Sequence, residues 1–326
     1  MRNLISDVAG LSVGHAEDAA LGSGVTAVVF DAPATASIAI SGGAPGTRDV
    51  SLLEPGMTVE QVDALVLSGG SAFGLDAMGG VLAWLRAQGR GFAVRGALVP
   101  IVPGAILFDL LNGGNKDWGR HAPYRDLGFA AAEAAGLDFA LGSHGAGLGA
   151  TTVDLKGGIG SASAVTRGGY CVGALVAVNA IGSAMVGGGP HFWAAPFERG
   201  GEFGGLGWPA AMPDLSPRMK GAFPENTTIA IVATDAMLSR VGAKRMAMMA
   251  QDGMGRALRP AHAALDGDLV FSAATARHAT PPDGRDLIEI GVAAADCLAR
   301  AIARAVFEAR ALPFAGALPA WRDLWG

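Results

Sequence analysis

The chain has 326 residues, 51% of them hydrophobic and only 16% charged, with a formal net charge of −5 and a pI near 5.7. That is enough chain for one large layered core. An acidic sequence with no lysine- or arginine-rich run excludes nucleic acid as a partner, because phosphate binding needs a basic face.

Taken in order, the opening MRNLISDVAGLSVGHAED lacks an apolar stretch of signal-peptide length. No later segment carries the eighteen uncharged apolar residues of a membrane span. Cys171 and Cys297 stand far apart in apolar surroundings and read as reduced core residues. A cytoplasmic protein without membrane contact is expected. Strands are predicted at Val25–Asp31, Ala36–Ile40 and Ala64–Ser68, then helices at Phe73–Gln88 and Tyr124–Ala135, then a strand at Gly173–Ala180. A glycine- and proline-rich stretch without periodicity follows from Gly187 to Pro224, and a structureless segment that long inside a compact domain usually has a job. It runs through a polar turn into Asn226. Beyond it come a strand at Thr227–Thr234, a helix at Leu238–Leu258, a strand at Asp268–Thr275 and a helix at Leu287–Ala309. Several strands are apolar on both faces, which implies a sheet covered from two sides and a layered α/β sandwich. Fifty glycines, about twice the usual share, read as tight turns and close backbone approaches.

Several motifs carry little. GAGLGA (Gly145–Ala150) fits a relaxed dinucleotide pattern, but it lacks a preceding strand and a later acidic residue. Ser71 in GGSAFG reads as the N-cap of the following helix, with a catalytic serine as the alternative; Gly70 and Ser71 are candidate substrate-binding positions. His15, His121, His144, His191, His262 and His278 never pair at metal-ligand spacing, so neither a metal nor another cofactor is expected. Met246, Met248, Met249 and Met254 read as core packing.

The junction FPENTTIAIVATDA (Phe223–Ala236) is more specific. A threonine hydroxyl is a poor nucleophile without an adjacent base, and the residue's own α-amine can be that base once the preceding peptide bond is cut. That amine titrates near 7.7–8.0 in model peptides, and the branched Cβ restricts where the hydroxyl points. Thr227 can make the cut itself by attacking the Asn226 carbonyl, with water opening the resulting ester. The bland alternative is a turn asparagine followed by strand threonines.

With ISDVAGLSVGHAED, GGAPGTRD (Gly42–Asp49), LVLSGGSAFGLDA (Leu65–Ala77), KGGIGSAS (Lys156–Ser163), NTTIAIVATDA and LDGDLVF (Leu265–Phe271) in order along the chain, the sequence resembles the DmpA-type family. This is the L-aminopeptidase/D-esterase family of self-cleaving N-terminal-nucleophile hydrolases, related to β-aminopeptidases and nylon-oligomer hydrolases. The resemblance implies a single-domain, four-layer α-β-β-α sandwich of the DmpA/ornithine-acetyltransferase type, cut once into residues 1–226 and 227–326, assembled as a homo-oligomer of four or more protomers. It implies Thr227 as nucleophile and new N-terminus, Asn226 as the residue before the cut, and Asn179 as an oxyanion donor. It also implies Lys156 as a group tuning the amine, and Asp266 and Asp268 as the acidic pair orienting it. Val153 and Ala274 stand where some aminopeptidase members carry tyrosine and serine, so the substrate is left open. The expected activity is hydrolysis of short peptides, small amides or esters; the alternatives are an endo-hydrolase of ω-amino-acid oligomers, an acyl transferase and an uncleaved binding relative. The C-terminal ALPFAGALPAWRDLWG (Ala311–Gly326) either docks on a partner or folds back on its own chain.

Overall fold

The computed structural model describes residues 1–221 and 226–326; the turn expected at 223–225 lies outside the described residues. The first strand, β1 (Leu11–Asp18), pairs antiparallel with β2 (Ser23–Ile40). β2 covers both of the first two predicted strands. Between them, residues 31–33 are exposed and the register shifts between Val29 and Ala34. Asp31-Ala32-Pro33 has the composition of a turn, yet here it forms a bulge, which bends a strand without ending it. The first half of β2 pairs with β4 (Gln61–Ser68) and the second half with β11 (Leu269–Ala274). Including β3 (Gly46–Arg48), β7 (Gly104–Ile106), β8 (Gly158–Val165), β9 (Cys171–Asn179) and β10 (Thr227–Thr234), the order is β3-β7-β4-β2-β11-β10-β9-β8. A separate hairpin joins β5 (Phe92–Val94) to β6 (Ala97–Val99).

Three apolar clusters divide this sheet into layers. Val28, Phe30, Leu65, Leu67, Leu175, Ile229, Ile231 and Phe271 meet between its two halves. Val25, Ala27 and Val66 face α1 (Ala77–Ala87) and α2 (Tyr124–Glu133). Val176, Ala230 and Val232 face α3 (Arg240–Ala257) and α4 (Gly284–Phe307). Alternate residues of one strand thus enter different cores, as a period of two requires. The product is the expected four-layer α-β-β-α sandwich, folded about β2. β8 was invisible in the sequence, because GIGSASAV is mostly glycine, serine and alanine, with only Ile159 and Val165 of the β-branched and aromatic residues that mark strands. Its small residues serve close packing: a Cβ at Gly160 would collide with the Ala301 carbonyl of α4.

The four predicted helices are present within a few residues of their expected ends. α4 starts on a capping box, with Asp283 accepting from the Arg285 and Asp286 N–H groups and Asp286 returning the contact. Met246 and Met254 are buried, but Met248 is 46% exposed, so packing accounts for only part of the methionine set. Among the described residues, no helix is long and apolar enough to cross a membrane. The C-terminal segment folds back: Trp321 of α5 (Trp321–Trp325) is buried against Phe192 and Phe307 and donates to the Pro190 carbonyl.

Candidate active site

Thr227 is the first residue of β10, an inner strand antiparallel to β9 and parallel to β11. Both Asn226 and Thr227 are buried. The hydroxyl of Thr227 donates to the Asn226 carbonyl oxygen, so the hydroxyl lies against the carbonyl of the residue before it. The Gly267 N–H donates to that same oxygen at 3.2 Å, a backbone donor placed where negative charge would develop.

Register explains the rest. Ile229 pairs with Leu269, and Asn226 forms an isolated parallel bridge with Asp266. Thr227 therefore stands level with Gly267, bracketed by Asp266 and Asp268. The D-G-D spacing puts an aspartate on each side of the level of Thr227 and the one side-chain-free residue opposite it. A Cβ at Gly267 would lie 2.7 Å from Thr227 Oγ1 and 3.0 Å from the Ala44 carbonyl oxygen. Gly267→Ala is expected to displace the hydroxyl and slow cleavage of the 226–227 bond by roughly 10²-fold, the scale set by misplacing a reacting group by about an ångström. A gel time course from freshly made protein measures this, and wild-type kinetics would remove Gly267 from the site.

The two aspartates are fully buried and differently held. Asp266 accepts from Gly267 N–H (3.0 Å) and Ile181 N–H (3.4 Å). Burial, and then the neighbouring Asp268, push its carboxyl well above the ordinary range, so it holds a proton near neutrality. Asp268 accepts from Thr228 N–H at 2.9 Å through one oxygen and from His262 N–H at 2.8 Å through the other. On the opposite side, Asn179 is the β9 residue level with Thr227. Its Nδ2 donates to the Phe108 carbonyl (2.9 Å), and its Oδ1 accepts from Thr151 N–H (2.9 Å) and Lys220 Nζ (3.4 Å).

Behind Asn179 lies a cavity of about 250 Å³ whose lining includes Phe108, Leu111, Thr151, Lys156, Lys220 and Leu312. Lys156 belongs to this wall rather than to Thr227. Its ammonium donates to the carbonyls of Gly147 (2.9 Å), Ala150 (2.7 Å) and Gly157 (2.8 Å). Burial lowers its pKa to about 7, although all three bonds need the charged form with its three protons. Lys156 thus holds the cavity wall together and makes no hydrogen bond to Thr227.

Gly70 and Ser71 pack against the loop that borders this cavity, where the Ser71 N–H donates to the Leu107 carbonyl at 2.9 Å and Asp109 is a lining residue. Gly70 adopts φ +85 and gives its N–H to Asp109 Oδ1 at 2.8 Å, and a Cβ there would collide with the Tyr124 ring. Gly70 itself, not Ser71, is the N-cap of the short 3-10 turn that follows, and no side-chain capping bond forms. The expected Ser71 cap fails because its left-handed backbone, φ +52, is not the extended conformation an N-cap hydroxyl requires. Neither residue lines the cavity beside Asn179.

The profile of peptidase family S58 matches residues 3–317. The chain belongs to peptidase family S58. An uncharacterized aminopeptidase of Mycobacterium tuberculosis is 44% identical over 99% of this chain and 98% of its own. One from Mycobacterium leprae is 40% identical over 95% and 91%. Among solved structures, the L-aminopeptidase D-Ala-esterase/amidase of Ochrobactrum anthropi, a variant of the N-terminal-nucleophile hydrolase fold, superposes with a TM-score of 0.71 at 21% identity, covering 98% of this chain and 90% of that one. A Burkholderia sp. β-aminopeptidase gives the same TM-score and coverage at 22% identity. This S58 peptidase is a hydrolase of peptide or amide bonds.

Sequence reading missed two groups at the S58 site. The Gly267 amide was hidden inside a motif read for its acids. Lys220, six residues before the junction, was visible as the single lysine of the glycine-rich stretch, but nothing in that stretch says that it returns to Asn179.

Proposed function

We propose that the chain cuts itself between Asn226 and Thr227 and then works as an N-terminal threonine aminopeptidase or amidase. The contact of Thr227 Oγ1 with the Asn226 carbonyl, under the Gly267 N–H, carries this reading. Oγ1 bonds to the carbonyl carbon, the carbon–nitrogen bond to Thr227 breaks, and the nitrogen takes the hydroxyl proton. Water then opens the ester, leaving a carboxylate on Asn226 and a free amine on Thr227. In the mature enzyme that amine accepts the Thr227 hydroxyl proton as Oγ1 attacks a substrate carbonyl, and returns it to the leaving amine. Gly267 N–H on one side of Thr227 and Asn179 on the other serve the oxyanion. The cavity of about 250 Å³ behind Asn179 has room for a small acyl group, which supports short peptides and small amides as the substrates. Exposed Phe92, Val94, Leu98 and Val99 on the β5–β6 hairpin support a homo-oligomer, since exposed apolar side chains gathered on one element favour burial.

Intact-mass measurement on purified protein tests the reading. The expected masses are those of residues 1–226 and 227–326, appearing as aminoacyl-amide hydrolysis appears. Turnover by a chain that stays whole overturns it, and hydroxamate formation with hydroxylamine present detects acyl transfer to an amine.

A further inference from the structure

His262 has so far entered only through its backbone N–H to Asp268; its side chain has been given no part. It stands in the segment between α3 and the D-G-D turn with φ +57, a left-handed conformation uncommon outside glycine and often found at functional sites. Its side chain is 28% exposed, and Nδ1 lies 3.2 Å from Asp268 Oδ2, the oxygen that also accepts its own backbone N–H. The outer side of the ring faces an open groove of about 680 Å³ whose lining includes Trp193, Phe197, Trp208, Arg256 and Arg259. Solvent, imidazole, Asp268 and the Thr228 N–H therefore lie in one line, ending one residue from the nucleophile.

We propose that His262 is a positioning residue that sets the charge facing the Thr227 amine: its imidazolium pairs with Asp268, leaving the shared proton of the acidic pair on Asp266. The inference rests on the proposed N-terminal threonine mechanism. Asp268 holds the His262 ring above the usual imidazole range against the opposing effect of burial, which favours the charged ring beside that carboxylate. The charged groups around it are Asp266 and Asp268 from the D-G-D turn, and Arg256 and Arg259 from the groove. Arg256 is itself paired with Asp296 at 2.6 Å, and Arg259 lies over the Trp193 ring.

The sign follows. Only the neutral amine can take the Thr227 proton, so kcat/KM climbs with pH through the amine's pKa. An imidazolium beside Asp268 offsets negative charge next to the amine. Without it the ammonium is favoured, the amine's pKa rises, and the acid limb moves to higher pH. His262→Asn, chosen because asparagine tolerates left-handed backbone and keeps the N–H to Asp268, is expected to move that limb upward by about one pH unit. The magnitude shrinks at high salt, because the groove admits solvent. His262→Lys, which restores a cation, is expected to bring the limb back toward wild type. Cleavage into two chains is followed on gels for every variant. Superimposable pH profiles from cleaved His262→Asn and wild type overturn this inference alone, whereas wild type that never cleaves overturns the mechanism beneath it. Should His262→Asn fail to fold, NMR titration of the wild-type ring decides: a ring with an ordinary imidazole pKa in the cleaved enzyme overturns the proposal.

Discussion

Thr227→Ala is expected to remain one 326-residue polypeptide and to lose hydrolysis of aminoacyl amides by on the order of 10⁴-fold or more, the scale of removing a covalent nucleophile. The change removes the hydroxyl that touches the Asn226 carbonyl. With the bond intact, the amine that would act as base never exists, so one substitution eliminates nucleophile and base together. Thr227 is buried at the head of β10, where alanine fits, so loss of fold does not account for the result. Thr227→Ser keeps the oxygen but frees χ1, and should cleave and turn over more slowly than wild type. Mass spectrometry and amide hydrolysis read both variants. A Thr227→Ala chain that still splits at the same bond would place the nucleophile elsewhere.

The second large effect concerns the segment that leads to the junction. Glu202 lies in the glycine-rich stretch, yet its side chain is only 7% exposed and Arg300 on α4 is 2% exposed. Arg300 clamps Glu202 through two bonds of 2.6 and 2.9 Å, also reaching the Ser163 carbonyl and Asn3 Oδ1. Asn3 donates to the same carboxylate, and Arg304 lies 3.8 Å from it. The N-terminus, the long loop, β8 and α4 thus meet at one buried anion. Replacing it by a neutral group leaves two arginines without their counter-ion, a loss of about 3–5 kcal/mol for a broken buried pair and roughly 10 °C in thermal midpoint for a chain this size.

Glu202→Gln is therefore expected to melt well below wild type, and to cleave more slowly where the loosened loop no longer holds the junction. Burial raises the Glu202 pKa, but hydrogen bonds from Arg300 and Asn3 outweigh it and leave the carboxyl below its ordinary range. Its stabilisation is therefore complete above the unfolded pKa and fades as pH falls through the native one, so the gap from wild type should narrow in acid. An unchanged midpoint at neutral pH would show that the cluster contributes little.

Where composition and period agree, the fold was legible in the sequence. β10 was bounded at both its residues, and the four long helices were found, because apolar period and capping signals are local. β8 escaped because its glycines answer to α4, a neighbour more than a hundred residues away. The break expected within β2 was a bulge for a similar reason. Asp31-Ala32-Pro33 is turn-like by itself, and continued pairing with β4 and β11 keeps the strand going.

The candidate site divides the same way. The sequence by itself determined which chemistry is at hand: a hydroxyl after an asparagine at the start of an apolar strand, two acids one residue apart, and an asparagine ending another strand. Only the tertiary structure decided how those groups meet. Parallel pairing with β11 sets Gly267 level with Thr227 and aims its N–H at the Asn226 carbonyl, antiparallel pairing with β9 brings Asn179 to the other side, and three loop carbonyls hold Lys156 on the cavity wall. Strand register is a relation between distant segments, set by side chains entering shared cores. A linear pattern supplies the partners, and the pairing of strands fixes which atoms touch.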